Sequence, residues 1–237
     1  QGASAQTSCA AGSFRGETGG TAQSDCATCP AGSACAAGAS THAPCAPGTV
    51  ANSSELSVCA ACAAGTYQDL EGNVSCKVCT PGYYCALGSA APLPCPGGTR
   101  KDTALTRPMQ SEGDCLGCNA GTFCPVGSAN ETACAPGTVN PLERQEMCVR
   151  CESGTFQDLE GNVTCKVCTP GYYCAEGSAA PLPCPGGTRK DPTLTRPMTS
   201  EADCVTCGVG TFCPVGSANE TACAPGTVNP LERQEMC

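Results

Sequence analysis

Seven times in 237 residues a cysteine is followed three positions later by another, as in Cys76-Lys-Val-Cys79 and Cys165-Lys-Val-Cys168. Such pairs can form a redox dithiol or half of a zinc site. The run Cys59-x2-Cys62-x13-Cys76-x2-Cys79 is close to zinc-ribbon spacing, and it recurs from Cys148 to Cys168. A zinc reading, however, strands Cys85, Cys95 and their counterparts, which share the Gly-turn context of the proposed ligands. It also places the glycosylation sequon at Asn73 inside the zinc loop. A redox dithiol needs a helix N-terminus after a strand, and no such pattern surrounds these cysteines. The remaining reading is a seam, in which the last cysteine of one module is followed by a two-residue spacer and the first cysteine of the next. Neither metal nor cofactor is expected.

Other chemistry has little footing. His42 is the one histidine, and the repeats described below lack it, so no repeated general base exists. The segments "QDLEGN" at 68–73 and 157–162 space acidic and amide side chains as a calcium loop would. They fall short of its length and ligand count, and a solvated turn is the expectation. No catalytic residue is assigned and the chain is read as a non-enzyme.

The elements that must carry these residues are repeats. Residues 60–148 and 149–237 align without a gap at a period of 89, with 74 positions identical. Residues 1–59 read as a partial copy. Eighteen of the 26 cysteines stand in C-x-x-G, as in "CTPGYY" and "CAPGTV". Pro at the first central position of a turn and Gly at the second specify type II, so the chain reverses just after the cysteine. Gly48, Gly65, Gly82 and Gly137 are therefore expected to be intolerant of a β-carbon. The other eight cysteines close something.

Cutting after each closing cysteine gives eight modules: 9–26, 29–59, 62–76, 79–115, 118–148, 151–165, 168–204 and 207–237. The two-cysteine modules leave one internal pairing each: Cys9–Cys26, Cys62–Cys76 and Cys151–Cys165. Each four-cysteine module has three possible connectivities. First-to-third with second-to-fourth is the expectation, and first-to-fourth with second-to-third is its rival. The expected pairs are Cys29–Cys45, Cys35–Cys59, Cys79–Cys95, Cys85–Cys115 and Cys118–Cys134, with Cys124–Cys148, Cys168–Cys184, Cys174–Cys204, Cys207–Cys223 and Cys213–Cys237 completing the set.

Composition demands these staples. Leu, Val and Phe total 28 residues and Ile and Trp are absent, below the level of an ordinary packed core. Burial alone cannot offset the entropy of ordering such a chain, whereas each bridge contributes about 2–4 kcal/mol. The expected fold is small and disulfide-rich, an elongated tandem array of short two-stranded ribbons and loops with little helix and no large core. Disulfides on this scale imply an oxidising compartment, here extracellular or cell-surface. Five sequons, Asn52, Asn73, Asn130, Asn162 and Asn219, are expected to carry N-linked glycan, with O-linked sugar also possible. Asn140 and Asn229 precede Pro and are excluded. The net charge of −9 argues against nucleic acid as a partner, and no apolar run is long enough to span a membrane. The chain opens on polar "QGASAQTSC", so any targeting or anchoring sequence is expected outside it.

The stretches Cys59-Ala-Ala-Cys62-Ala-Ala-Gly65-Thr66-Tyr67…Cys76 and Cys148…Cys151-Glu-Ser-Gly154-Thr155-Phe156…Cys165 resemble the ephrin-receptor-like cysteine-rich repeat, within the broader TNF-receptor-like and EGF-like group. The resemblance implies short ribbons stacked end to end on a ladder of disulfides. Near-identity of the copies points to a glycosylated building block of a coat, stalk or filamentous appendage, mastigoneme-like or fibrous. Such a block would self-associate through "TVNPLERQEM" and the pairs Tyr83–Tyr84 and Tyr172–Tyr173. The alternative is a receptor or adhesion ectodomain that binds a protein ligand through the distinctive residues 1–59.

Overall fold

The computed structural model describes residues 7–237. Twelve antiparallel ribbons of two short strands each make up its regular structure. The only helical segments among the described residues are the 3-10 turns Gln23–Asp25, Glu112–Asp114 and Glu201–Asp203. Contacts divide the chain into two compact units, Gln1–Leu116 with Val126–Asn130, and Gly117–Pro125 with Glu131–Cys237. The same construction runs through each.

One ribbon illustrates it. After Cys62 the chain turns at Ala63–Thr66, with Gly65 at φ +87° and the Thr66 N–H donating to the Ala63 carbonyl at 2.9 Å. The Thr66 hydroxyl donates to the same carbonyl at 2.7 Å, which explains the C-x-x-G-T sequence. Thr66–Tyr67 then pairs with Lys77–Val78, and the Cys79 N–H closes the ribbon onto the Gly65 carbonyl at 2.9 Å. Cys79 opens the next turn. Thirteen cysteines open modules in this way, at 9, 29, 45, 62, 79, 95, 118, 134, 151, 168, 184, 207 and 223.

Each module carries a single bridge of its own. Cys9–Cys26, Cys62–Cys76 and Cys151–Cys165 are bonded. The four-cysteine segments depart from expectation. None of Cys29–Cys45, Cys35–Cys59, Cys79–Cys95, Cys85–Cys115, Cys118–Cys134, Cys124–Cys148, Cys168–Cys184, Cys174–Cys204, Cys207–Cys223 and Cys213–Cys237 forms, and neither does the nested rival. First bonds second, in Cys29–Cys35, Cys79–Cys85, Cys118–Cys124, Cys168–Cys174 and Cys207–Cys213. Third bonds fourth, in Cys45–Cys59, Cys95–Cys115, Cys134–Cys148, Cys184–Cys204 and Cys223–Cys237. The reason is the turn. It folds Cys85 back to a Cα distance of 6.1 Å from Cys79, while Cys95 already opens another ribbon and lies 5.8 Å from Cys115. Both distances suit a disulfide.

Consecutive modules hydrogen-bond through three main-chain contacts. The Gly48 N–H donates to the Gln68 carbonyl (2.7 Å), the Ala51 N–H to Asn73 (3.2 Å), and the Gly72 N–H back to Cys45 (2.9 Å). The last donor sits at positive φ. Glycine usually fills that place, but Glu55, Arg144 and Arg233 occupy it with φ of 65°, 60° and 61°. The Cys95 and Cys184 modules substitute Pro-Met there, with Met109 and Met198 fully buried and their carbonyls accepting from Cys85 and Cys174 at 3.1 Å. Apart from these methionines, cysteines supply most of the buried apolar side chains.

The turn glycines also face the module after next. A β-carbon on Gly48 would stand 2.3 Å from the Gly88 carbonyl oxygen, and one on Gly137 would stand 2.2 Å from that of Gly177. Gly210 has a similar φ of +77° with nothing within 4 Å. Gly210→Ala should cost only the backbone strain, about 1–2 kcal/mol. Gly48→Ala adds displacement of a packed carbonyl, so the Gly88 and Ser89 amides should lose hydrogen-exchange protection. Equal effects of the two substitutions would contradict the second-neighbour contact.

Candidate functional site

The C-x-x-C positions are joints. Cys76 bonds Cys62 and Cys79 bonds Cys85, so the two cysteines of the pair are never partners. All cysteines are in disulfides, and no cluster of three metal-ligating side chains exists among the described residues. Thiolate chemistry and zinc ligation both require a free sulfur, which this arrangement does not offer.

The "QDLEGN" segments fold as turns around a buried amide. The Gln68 Nε2 donates to the Ser75 carbonyl at 2.7 Å, while its Oε1 accepts from the Leu70 N–H at 3.1 Å. Gln157 repeats both bonds. Asp69 pairs with Lys77 at 2.6 Å on the surface, as Asp158 does with Lys166. Asn140 and Asn229 occupy the position equivalent to Gln68. The Asn140 Nδ2 donates to the Thr122 carbonyl at 2.7 Å and Asn229 repeats this to Thr211. Their burial is a structural use for two asparagines that Pro already disqualifies as sequons. Asn52, Asn130 and Asn219 are exposed, and Asn73 and Asn162 are half-buried at loop tips.

His42 packs edge-on against Phe14 at 5.4 Å between ring centres, with Nδ1 3.2 Å from the Ser33 hydroxyl. It holds two N-terminal modules together. Tyr83 lies over Gly127 and Tyr172 over Gly216, where a β-carbon would stand 2.9 Å and 2.8 Å from the respective hydroxyl oxygens. One tyrosine of each pair therefore covers a neighbouring loop.

Exposed apolar side chains recur with the 89-residue period. Val78 and Val167 are both 63% exposed, and Leu142 and Leu231 both 64%. Leu93 with Leu182, and Met147 with Met236, behave alike. A shallow apolar groove along Val78, Pro81, Leu105 and Met109 is likewise repeated beside Val167, Pro170 and Met198. Its basic neighbours are already engaged. The Lys101 Nζ donates to the Leu105 carbonyl at 3.4 Å, and the Arg107 guanidinium grips Asp114 through two bonds of 2.9 Å.

That ion pair organises the long loop. The Arg107 guanidinium and the N–H groups of Gln110 and Ser111 hold the Asp114 carboxyl down to about 2. Arg196, with Thr199 and Ser200, holds Asp203 far below the ordinary carboxylate range. Sequence reasoning passed over both pairs, although "TRPM" followed by "Asp-Cys" in each copy carried the signal. The disulfide pairing also had one. The spacing Cys45–Cys59 equals that of Cys62–Cys76, which marks the tail of a four-cysteine segment as a short module in its own right.

Two segments, residues 48–86 and 137–176, match the family model described as tyrosine-protein kinase ephrin type A/B receptor-like. Each begins at a turn glycine, runs through one complete module and ends just past the small bridge of the next. No curated protein matches the chain. These segments are similar to ephrin-receptor-like cysteine-rich repeats, and the disulfide-rich ribbons around them are built alike.

The ionised form of Asp114 stabilises its loop, because the folded value lies below the ordinary 3.8. That contribution is complete above about pH 4 and is lost as pH falls through about 2. A carboxyl titration by NMR should show the depressed midpoint, and Arg107→Met should raise it toward the ordinary value. An ordinary midpoint in the unaltered chain would contradict the buttressing role.

Proposed function

We propose that this chain is a structural building block of an extracellular, glycosylated coat, stalk or filamentous appendage. The observation that carries the reading is the repetition of the exposed apolar side chains at one sequence period and with matched exposure. A surface that meets the same partner surface at regular intervals needs that arrangement, whereas a receptor concentrates a unique patch on one or two modules. The repeated grooves and the "PLERQEM" loops are the contacts we assign to lateral association. No catalytic role is assigned, since the single histidine is used in packing and the cysteines are bonded to one another.

Secretion follows from the disulfide content, and N-linked glycan at Asn52, Asn73, Asn130, Asn162 and Asn219 follows from secretion. All five lie on loops, where a glycan would shield ribbons that have little core of their own. The eight sequence modules and their grouping into 1–59, 60–148 and 149–237 are the units in which we expect the protein to have been duplicated.

Peptide N-glycosidase treatment of the secreted protein should convert the five asparagines to aspartate, while Asn140 and Asn229 stay unchanged. Electron microscopy of native material should show periodic filaments or lattices. Discrete particles that bind a protein ligand saturably, through residues 1–59, would instead support a receptor or adhesion ectodomain and overturn the structural reading.

A further inference from the structure

The "PLERQEM" loop at 141–147 is pinned from within. The Asn140 Nδ2 donates to the Met147 carbonyl at 3.3 Å, the Arg144 N–H to Cys118 at 2.8 Å, and the Cys124 N–H to Gln145 at 3.0 Å. Arg144 holds φ at 60°, a costly conformation for a residue with a side chain. Its stem is laid across Gly117, where a β-carbon would stand 2.8 Å from the Arg144 Cγ. Four side chains are left outward. Leu142 and Met147 are 64% and 70% exposed. Glu143 and Glu146, exposed between them, have no ion-pair partner among the described residues. Whole modules precede and follow this loop, so its exposure belongs to the folded array. A loop already fixed in shape loses little conformational freedom on docking.

The groove at Val78, Pro81 and Leu105, with its counterpart at Val167 and Pro170, offers the opposite surface. Two cations and no acid line each. Arg107 and Arg196 are neutralised by Asp114 and Asp203. Lys101 and Lys190 are not. Each places one of its three donors on a carbonyl, at 3.4 Å and 3.0 Å, and neither has a carboxylate partner among the described residues. The groove therefore joins an apolar floor to an uncompensated ammonium. The loop joins two apolar side chains to two uncompensated carboxylates.

We propose that the "PLERQEM" loop of one copy docks in the groove of a second copy of this chain. Leu142 and Met147 lie against Val78, Pro81 and Leu105, and Glu143 and Glu146 meet the Lys101 ammonium at the rim. The loop at 230–236 and the groove beside Lys190 repeat the two faces. Burial of the apolar pair supplies affinity, and the charges set how the loop enters. Each 89-residue repeat carries one loop and one groove, so every copy both offers and accepts the contact. A contact between unlike faces can be handed on from copy to copy, as a filament or lattice requires. The inference rests on the self-associating role proposed above and names the two faces that meet.

Exchanging the charges tests it, with sedimentation velocity on the oxidised 237-residue chain as the readout. One variant carries Lys101→Glu and Lys190→Glu, which puts acid in the grooves against acidic loops. The other carries Glu143→Lys, Glu146→Lys, Glu232→Lys and Glu235→Lys, which puts base on the loops against basic grooves. The unaltered chain should form oligomers that grow with concentration, and each variant alone should associate about tenfold more weakly or worse. An equimolar mixture should regain association, because each variant's loops then fit the other's grooves. A full set of disulfides in each variant confirms that it is folded. Variants that associate as the unaltered chain does, or a mixture that stays as weak as its components, would overturn the loop-in-groove contact while leaving self-association through another surface intact. An unaltered chain that stays monomeric at all concentrations would overturn the contact as well, and discrete native particles under the microscope would then overturn the structural role with it.

Discussion

The fold depends on a glycine that has no room for a side chain. After each opening cysteine the chain must reverse through positive φ, and along most of the chain the space beside that glycine is filled by a loop from the module after next. Backbone strain and close approach act together, so the residue is fixed twice over. From that turn follow the cysteine's position, the strand that leaves it, and the N–H that reaches the next module. Disulfides lock the arrangement, but the turn decides which cysteines can meet.

Stability is consequently local. Each module brings one bridge, one short ribbon and a few bonds to its neighbour, with little shared core beyond sulfur and two methionines. Contacts to the next module and to the one after it carry the fold, in the manner of repeat proteins whose stability sums module and interface contributions. The Arg107–Asp114 and Arg196–Asp203 pairs show how a longer loop is accommodated within this scheme. There the loop has no positive-φ donor, and a buried methionine with an ion-paired carboxylate takes over its placement.

Much of this could be read from residue spacing. The C-x-x-G turn, the C-x-x-C seam and the 89-residue period follow from glycine, proline and cysteine alone, and the ribbons follow from the turns. The pairing in four-cysteine segments did not, because Cys35, Cys85, Cys124, Cys174 and Cys213 share the turn context of the openers. They are followed by C-x-x-G as well, yet they close a bridge. The buried amides of Gln68 and Asn140 were also hidden, since neither side chain type announces burial. Glu55, Arg144 and Arg233 were hidden for a related reason, as residues that ordinarily avoid positive φ.

Disulfide mapping under non-reducing conditions tests the one-bridge-per-module account most directly. Cleavage after Tyr84 and Leu87 separates Cys79, Cys85 and Cys95 into different peptides. The account predicts a peptide pair joined through Cys79 and Cys85, with Cys95 joined to Cys115. A peptide joining Cys79 to Cys95, or Cys85 to Cys115, would contradict it.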